Sequence, residues 1–294
     1  MKTIAALALA LSAATLAAQP KPAPVEVKIE RINDRRTSGS FSQLVIALEL
    51  PKIRSAEVEA SRVLLTAATD DSGRSLLDPE ASEPQLQPNF RMTPRPGAEP
   101  ENPPPPATVD VTLKNPDRKA KTVKEVRGEI ELYMPSKDPN SVAEIPKFIS
   151  TSGKPLTHKA LKANGVEFAL LTDKQIEAER KRIADAKRKE YKDSGWEDAE
   201  SLEQTIKSLL ESLLSVQESE LLVRIKDPNQ RIQDIAYVDA AGEVKRVSTR
   251  SEEGVVYLST WEGKPQPDWK LRVSMKTPKN MVRYAFALKD VALP

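Results

Sequence analysis

Two stretches of the chain carry the same alternation of apolar and polar residues. In residues 107–116, Val109, Val111 and Leu113 alternate with Asp110, Thr112 and Lys114; in residues 270–278, Leu271, Val273 and Met275 alternate in phase with Arg272, Ser274 and Lys276. A period of two puts one side of a strand into a core, and the closing prolines, Pro116 and Pro278, have no N–H with which to continue a ladder. Other runs recur in the same order in both halves. Val25, Val27 and Ile29 are answered by Val166, Phe168 and Leu170 as first strands. Leu44, Ile46 and Leu48 before Pro51 are answered by Leu221, Val223 and Ile225 before Pro228. Residues 58–68 predict a third strand, and Asp-x-x-Gly at 70–73 and again at 239–242 predicts tight turns. Val126, Ile130 and Leu132 form the partner of the first exit strand, and Val282, Tyr284, Phe286 and Leu288 that of the second. The ordered repeat predicts a mainly β protein of two tandem immunoglobulin/fibronectin-like β-sandwich domains, at 19–137 and 138–294.

Two segments depart from this rhythm. Residues 78–106 hold ten prolines, which exclude helix and central strand and predict an extended loop, either a stiff connector or a docking ligand. Residues 172–218 read as an α-helical hairpin inserted in the second sandwich. Thr172-x-x-Gln175 is a capping box opening a helix to about Lys192, and Ser194-x-x-Glu197 offers the cap of a second helix ending near Gln217. Leu202, Ile206, Leu209, Leu210, Leu213 and Leu214 fall on one face of that second helix. The first helix has too few apolar residues to cover them, so the sandwich, a second copy or a protein partner must; Leu209, Leu210, Leu213 and Leu214 are therefore candidate partner-binding residues.

Composition narrows the function. Among 294 residues, 45 basic and 43 acidic side chains leave a formal charge of +2, without the surplus expected of a nucleic-acid-binding protein. Eight basic residues between Lys174 and Lys192 are answered by the acidic second helix. Lys2 followed by the apolar residues 4–16 predicts a signal peptide over 1–18, and no later run is long enough to span a membrane. Export without any cysteine predicts a periplasmic or secreted protein.

Candidate chemistry is sparse. The single histidine, His158, has no Gly-x-Ser-x-Gly elbow or cysteine to work with, and no Gly-rich phosphate loop occurs. Asp70 and Asp71 lack the spacing of a calcium loop, and a turn accounts for them. No catalytic residue, metal ligand or cofactor is assigned. Tyr257, Trp261 and Trp269 lie close together and either stack on a sugar ring or fill a core. The predicted protein is thus an exported, non-enzymatic binding or structural module of the cell envelope, the alternative being a carbohydrate-binding protein using those aromatics.

The segments LKNPDRKAKTVKEVRGEIELYMP, residues 113–135, and YAFALKDVALP, residues 284–294, behind a signal-like leader, resemble exported bacterial β-sandwich proteins. That resemblance implies fold and compartment, and it brings no assigned chemistry with it.

Overall fold

The computed structural model describes residues 22–37, 42–80, 82–88, 103–195, 198–213, 219–252 and 254–294. It is mainly β, with 45% strand and 20% helix. The first part of the chain supplies β1 (Ala23–Pro24), β2 (Lys28–Arg35), β3 (Gln43–Arg54), β4 (Ala60–Asp70), β5 (Gln87–Pro88), β6 (Pro106–Leu113) and β7 (Thr122–Tyr133). β8 (Val142–Pro146), α1 (Lys159–Asn164), β9 (Glu167–Leu170), α2 (Asp173–Asp193) and α3 (Ala199–Leu213) follow. The remainder is β10 (Glu220–Lys226), β11 (Ile232–Val238), β12 (Val244–Arg246), β13 (Ser248–Glu252), β14 (Val255–Ser259), β15 (Lys270–Met275) and β16 (Met281–Ala292).

Four sheets result, ordered β2-β3-β6, β1-β16-β7-β4-β5, β12-β11-β15-β8 and β13-β14-β10-β9. The first two enclose one core. Leu44, Ile46 and Leu48 of β3 and Val109 and Val111 of β6 meet Ile130 and Leu132 of β7 and Phe286 of β16 there. The other two enclose a second core around Phe168, Val223, Tyr237, Leu271 and Val273, with the rings of Phe148 and Tyr237 stacked at 5.4 Å. Each fully buried aliphatic side chain contributes about 1.5–3 kcal/mol, so these two clusters dominate stability. Gly128 of β7 is required by a close approach: a Cβ there would sit 2.4 Å from the carbonyl oxygen of Leu64, beside a bulge in β4 at Leu65/Ala67.

The connectivity corrects two expectations. β6 and β15, which share their alternation, do not occupy equivalent places: β6 pairs with β3, whereas β15 lies between β11 and β8. The positional counterpart of β15 is β7, which lies between β4 and β16. Alternation specifies which face is buried and carries no information about which strand is the neighbour. The second correction concerns residues 281–292, expected to end the unit at 138–294. β16 instead pairs with β7 from Tyr133 to Thr122 and buries Phe286, Leu288 and Val291 in the first core. Reciprocally β8, which follows β7, pairs with β15 in the second unit. The two crossing segments bond to each other, Met134 N–H to Asn280 O at 2.8 Å and Met275 N–H to Ser141 O at 2.7 Å.

The first strand expected over Val25, Val27 and Ile29 instead begins at Lys28 and runs to Arg35, with Ile29 41% exposed, because within it the core contact comes from Ile32. In residues 78–106 the described secondary structure is β5, which adds Gln87 and Pro88 to the edge of β4, and the start of β6 at Pro106.

The helices lie in sequence between the paired strands β9 and β10. Thr172 Oγ1 accepts from Gln175 N–H at 3.3 Å and the Gln175 side chain accepts from Thr172 N–H at 3.0 Å, as the capping box predicts. For α3 the cap is Asp198, whose carboxylate accepts from the N–H groups of Glu200 and Ser201, in place of Ser194. Asp198 sits directly before the first helical residue, where its oxygen reaches the orphan donors. Arg188 forks onto Glu203 at 2.7 and 2.9 Å between the helices. Ile183 packs with Leu222, Val255 and Tyr257 on the outer face of the β14-β10 pair, with Ile176 and Leu210 against them. β10 therefore buries both faces, which explains the unbroken buried run from Glu220 to Val223.

Candidate functional site

A groove of about 1060 Å³ runs between the two units. Its first wall begins with the alternation of β7: Ile130 and Leu132 face the core, so Glu131 between them faces the other unit. Register places Arg62 of β4 and Arg283 of β16 opposite Glu131 on either side. Arg62 Nε donates to one carboxylate oxygen at 2.5 Å and Arg283 Nε to the other at 2.7 Å. Glu131 is only 2% exposed, and a carboxylate so enclosed is tolerated because both oxygens receive charge-assisted bonds. The triad keeps a net charge of +1. Arg62 also reaches Glu83 at 3.4 Å and the carbonyl of Pro84 at 3.2 Å.

The second wall is made of two turns. In one, the Asp227 carboxylate accepts from Arg231 N–H at 2.8 Å and Ile232 N–H at 2.7 Å, holding Gln230 at a left-handed φ of 50°. A glutamine adopts that region only when its surroundings enforce it. In the other, Thr277 and Asn280 bond reciprocally and the Asn280 amide donates to Met275 O at 2.8 Å, with Asn280 wholly buried. Lys276 N–H donates to Arg231 O at 2.6 Å, so the turns brace one another. Arg231, Lys276 and Lys279 thus project from a stiff frame into the groove. Among the described lining residues Glu131 is the one carboxylate, against five cations. The charge of Lys279 is felt outside the groove by Asp138. The N–H of Asn140 and the hydroxyl of Thr277 hold its carboxyl below the ordinary range, with the field of Lys279 adding to them.

The residues singled out by sequence are placed as follows. Tyr257 is 1% exposed, covered by Ile183 and by the Arg250 guanidinium 4.0 Å from its ring centroid. Trp269 is half-buried against the second core, 6.2 Å from the ring of Tyr237. Burial leaves Tyr257 no face for a sugar, which corrects it as a stacking platform, while Trp269 keeps part of its surface exposed. Trp261 is 98% exposed and remains a candidate platform. Of the leucine stripe, Leu202 and Ile206 are buried against Ala184, and Leu209 and Leu210 are half-buried. The side chain of Leu213, and Leu214 entirely, lie outside the described residues. His158 Nδ1 accepts from Ala160 N–H at 3.2 Å, capping α1. Asp70 and Asp71 accept backbone N–H groups, and no acidic or histidine cluster suited to a metal occurs among the described residues.

The groove residues escape sequence reading because the described ones come from six separate segments. One signal was present: a glutamate between Ile130 and Leu132 must leave the core on the opposite face. No protein-family model, curated protein or solved structure matches the chain.

Proposed function

We propose that the chain is an exported, non-enzymatic binding module of the cell envelope, made of two immunoglobulin-like sandwiches with a helical hairpin inserted in the second. The strand order supports the fold reading. β2-β3-β6 against β4-β7-β16 is an A-B-E over C-F-G arrangement, and β9-β10-β14-β13 against β11-β15 follows it, with β8 beside β15 in the G place. The signal-like residues 1–18 and the resemblance of residues 113–135 and 284–294 to exported sandwich proteins support the compartment.

The observation that carries the binding reading is the groove, which is lined by Arg62 and Arg283 bonded to the sealed Glu131 and by Arg231, Lys276 and Lys279 at turns held by their own hydrogen bonds. Stiff, pre-positioned polar groups lose little entropy when a ligand arrives. Leu202, Ile206 and Leu210 of the leucine stripe pack on α2 and on the β14-β10 face.

Fractionation of a bacterial host expressing the whole chain, with mass spectrometry and sedimentation on isolated envelopes, tests this. The expected protein lacks about the first eighteen residues, is recovered outside the cytoplasm and sediments with envelopes, and Arg231→Glu with Lys279→Glu releases it. An unprocessed cytoplasmic chain, or equal sedimentation of the variant, overturns the proposal.

A further inference from the structure

Resting on the reading of the groove as a binding site, we infer that its ligand is an acidic oligosaccharide, a chain of sugars carrying carboxylate or phosphate groups. Charge sets the first half of that class. Arg231, Lys276 and Lys279 line the groove beside a triad that is itself cationic, so the lining sums to four positive charges. Arginine forks and lysine ammonium groups recognise carboxylate and phosphate alike.

The remaining polar lining sets the second half. Asn229, Gln230 and Gln233 from the second unit face the same space as Gln85 from the first. A primary amide presents a donor pair and an acceptor side by side, which suits the adjacent hydroxyls of a sugar and is wasted on a simple anion. Among the described residues no aromatic lines the groove, so recognition proceeds by hydrogen bonds and charge and does not use Trp261. The volume of about 1060 Å³ exceeds that of a single sugar and is open to both units, which favours several residues of a chain. A ligand lying there touches Arg62 and Arg283 on one wall and Arg231 and Lys279 on the other, so it fixes the units relative to each other.

Calorimetry on the whole chain at about 0.15 M salt tests the class. The probes are an oligogalacturonate, a phosphorylated oligomannose, neutral maltohexaose and hexaglutamate. The first or second binds, the galacturonate if carboxylate is the acid group and the mannose if phosphate is. Maltohexaose and hexaglutamate bind at least about tenfold more weakly, since each lacks one of the two required chemistries. Lys276→Glu with Lys279→Glu weakens the acidic sugar about tenfold or more, Gln233→Leu weakens it without changing hexaglutamate, and Trp261→Ala has no effect. Equal binding of hexaglutamate makes the site a plain polyanion surface and overturns the inference. Silence of both acidic sugars, while wild-type chain still sediments with envelopes, also overturns it and leaves the binding function standing. Loss of the acidic sugar on Trp261→Ala alone moves the site to the exposed tryptophan and overturns it as well.

Discussion

In the turn at residues 70–73, the N–H of Gly73 donates to Asp70 O at 3.0 Å and the N–H of Arg74 donates to the Asp70 carboxylate at 3.0 Å. In the turn at residues 239–242, Gly242 and Glu243 make the same two bonds, at 3.1 and 2.8 Å. Both glycines have left-handed φ, 83° and 87°, and both turns leave the strand next to the centre of a sheet, β4 in one unit and β11 in the other. The surroundings differ. Asp70 is 1% exposed, accepts from Ser72 Oγ at 2.6 Å, and reaches across to the N–H of Asp117 at 3.0 Å. Asp71 ties the same neighbouring loop through the N–H groups of Lys121 and Thr122. Asp239 lies at the rim and answers Lys245 at 3.3 Å. One local grammar yields one local geometry, while its weight in stability follows from what the rest of the chain brings to it.

The units differ in the same way in how they are closed, and that gives the largest expected effect. Ending the chain after Asn280 removes β16, with Phe286, Leu288 and Val291, from a unit whose other core strands precede Pro135. At about 1.5–3 kcal/mol for each large buried side chain, plus a lost ladder, the cost is comparable with the stability of a whole domain. Hydrogen exchange is expected to show β3 and β6 unprotected, with β10 and β15 still protected. Retained protection in β3 would show that the first unit closes without its distant strand.

A smaller loss, about 1–3 kcal/mol, is expected for Glu131→Gln, which leaves two partly exposed guanidiniums facing a neutral amide. Replacing Arg62, Glu131 and Arg283 together by apolar residues costs less than the single change if that account holds. Urea midpoints of the two variants decide it.

The smallest effect is the difference between the paired turns. Asp70→Ala orphans the N–H groups of Arg74 and Asp117 and is expected to cost about 2–3 kcal/mol. Asp239→Ala is expected to cost clearly less, and equal losses would break the comparison. Burial alone would raise the Asp70 carboxyl, but bonds from Asp117, Ser72 and Arg74 prevail and hold it below the usual range. A lowered folded-state value means that this stabilisation is complete above the unfolded value of about 3.9 and is lost as pH falls through the folded one. Wild-type chain should therefore lose stability in acid more steeply than Asp70→Ala, measured by melting temperature between about pH 5 and pH 2.

Legibility followed locality. Thr172 and Gln175 named the start of α2 because a capping box is closed by residues three apart. The cap of α3 was misread because Ser194 and Asp198 are both eligible, and only the path of the chain between the helices selects Asp198. For Tyr257 the sequence left sugar stacking and core filling both open, because proximity to Trp261 does not say which face a residue occupies. A strand alternates its faces, and the outer face on which Tyr257 sits is roofed by α2.

By itself the sequence determined the alternation of β3, β6, β7 and β15, the two Asp-x-x-Gly turns and the capped start of α2, all set by interactions within a few residues. Tertiary structure alone decided that β8 and β16 change places between the units, that β6 and β15 are not equivalents, and that five cations line one groove with Glu131. Strand pairing is chosen by which edges remain open once the cores have collapsed, and a charge cluster assembled from β4, β7, β16 and the turns before β11 and β16 leaves no periodic trace in any one of them.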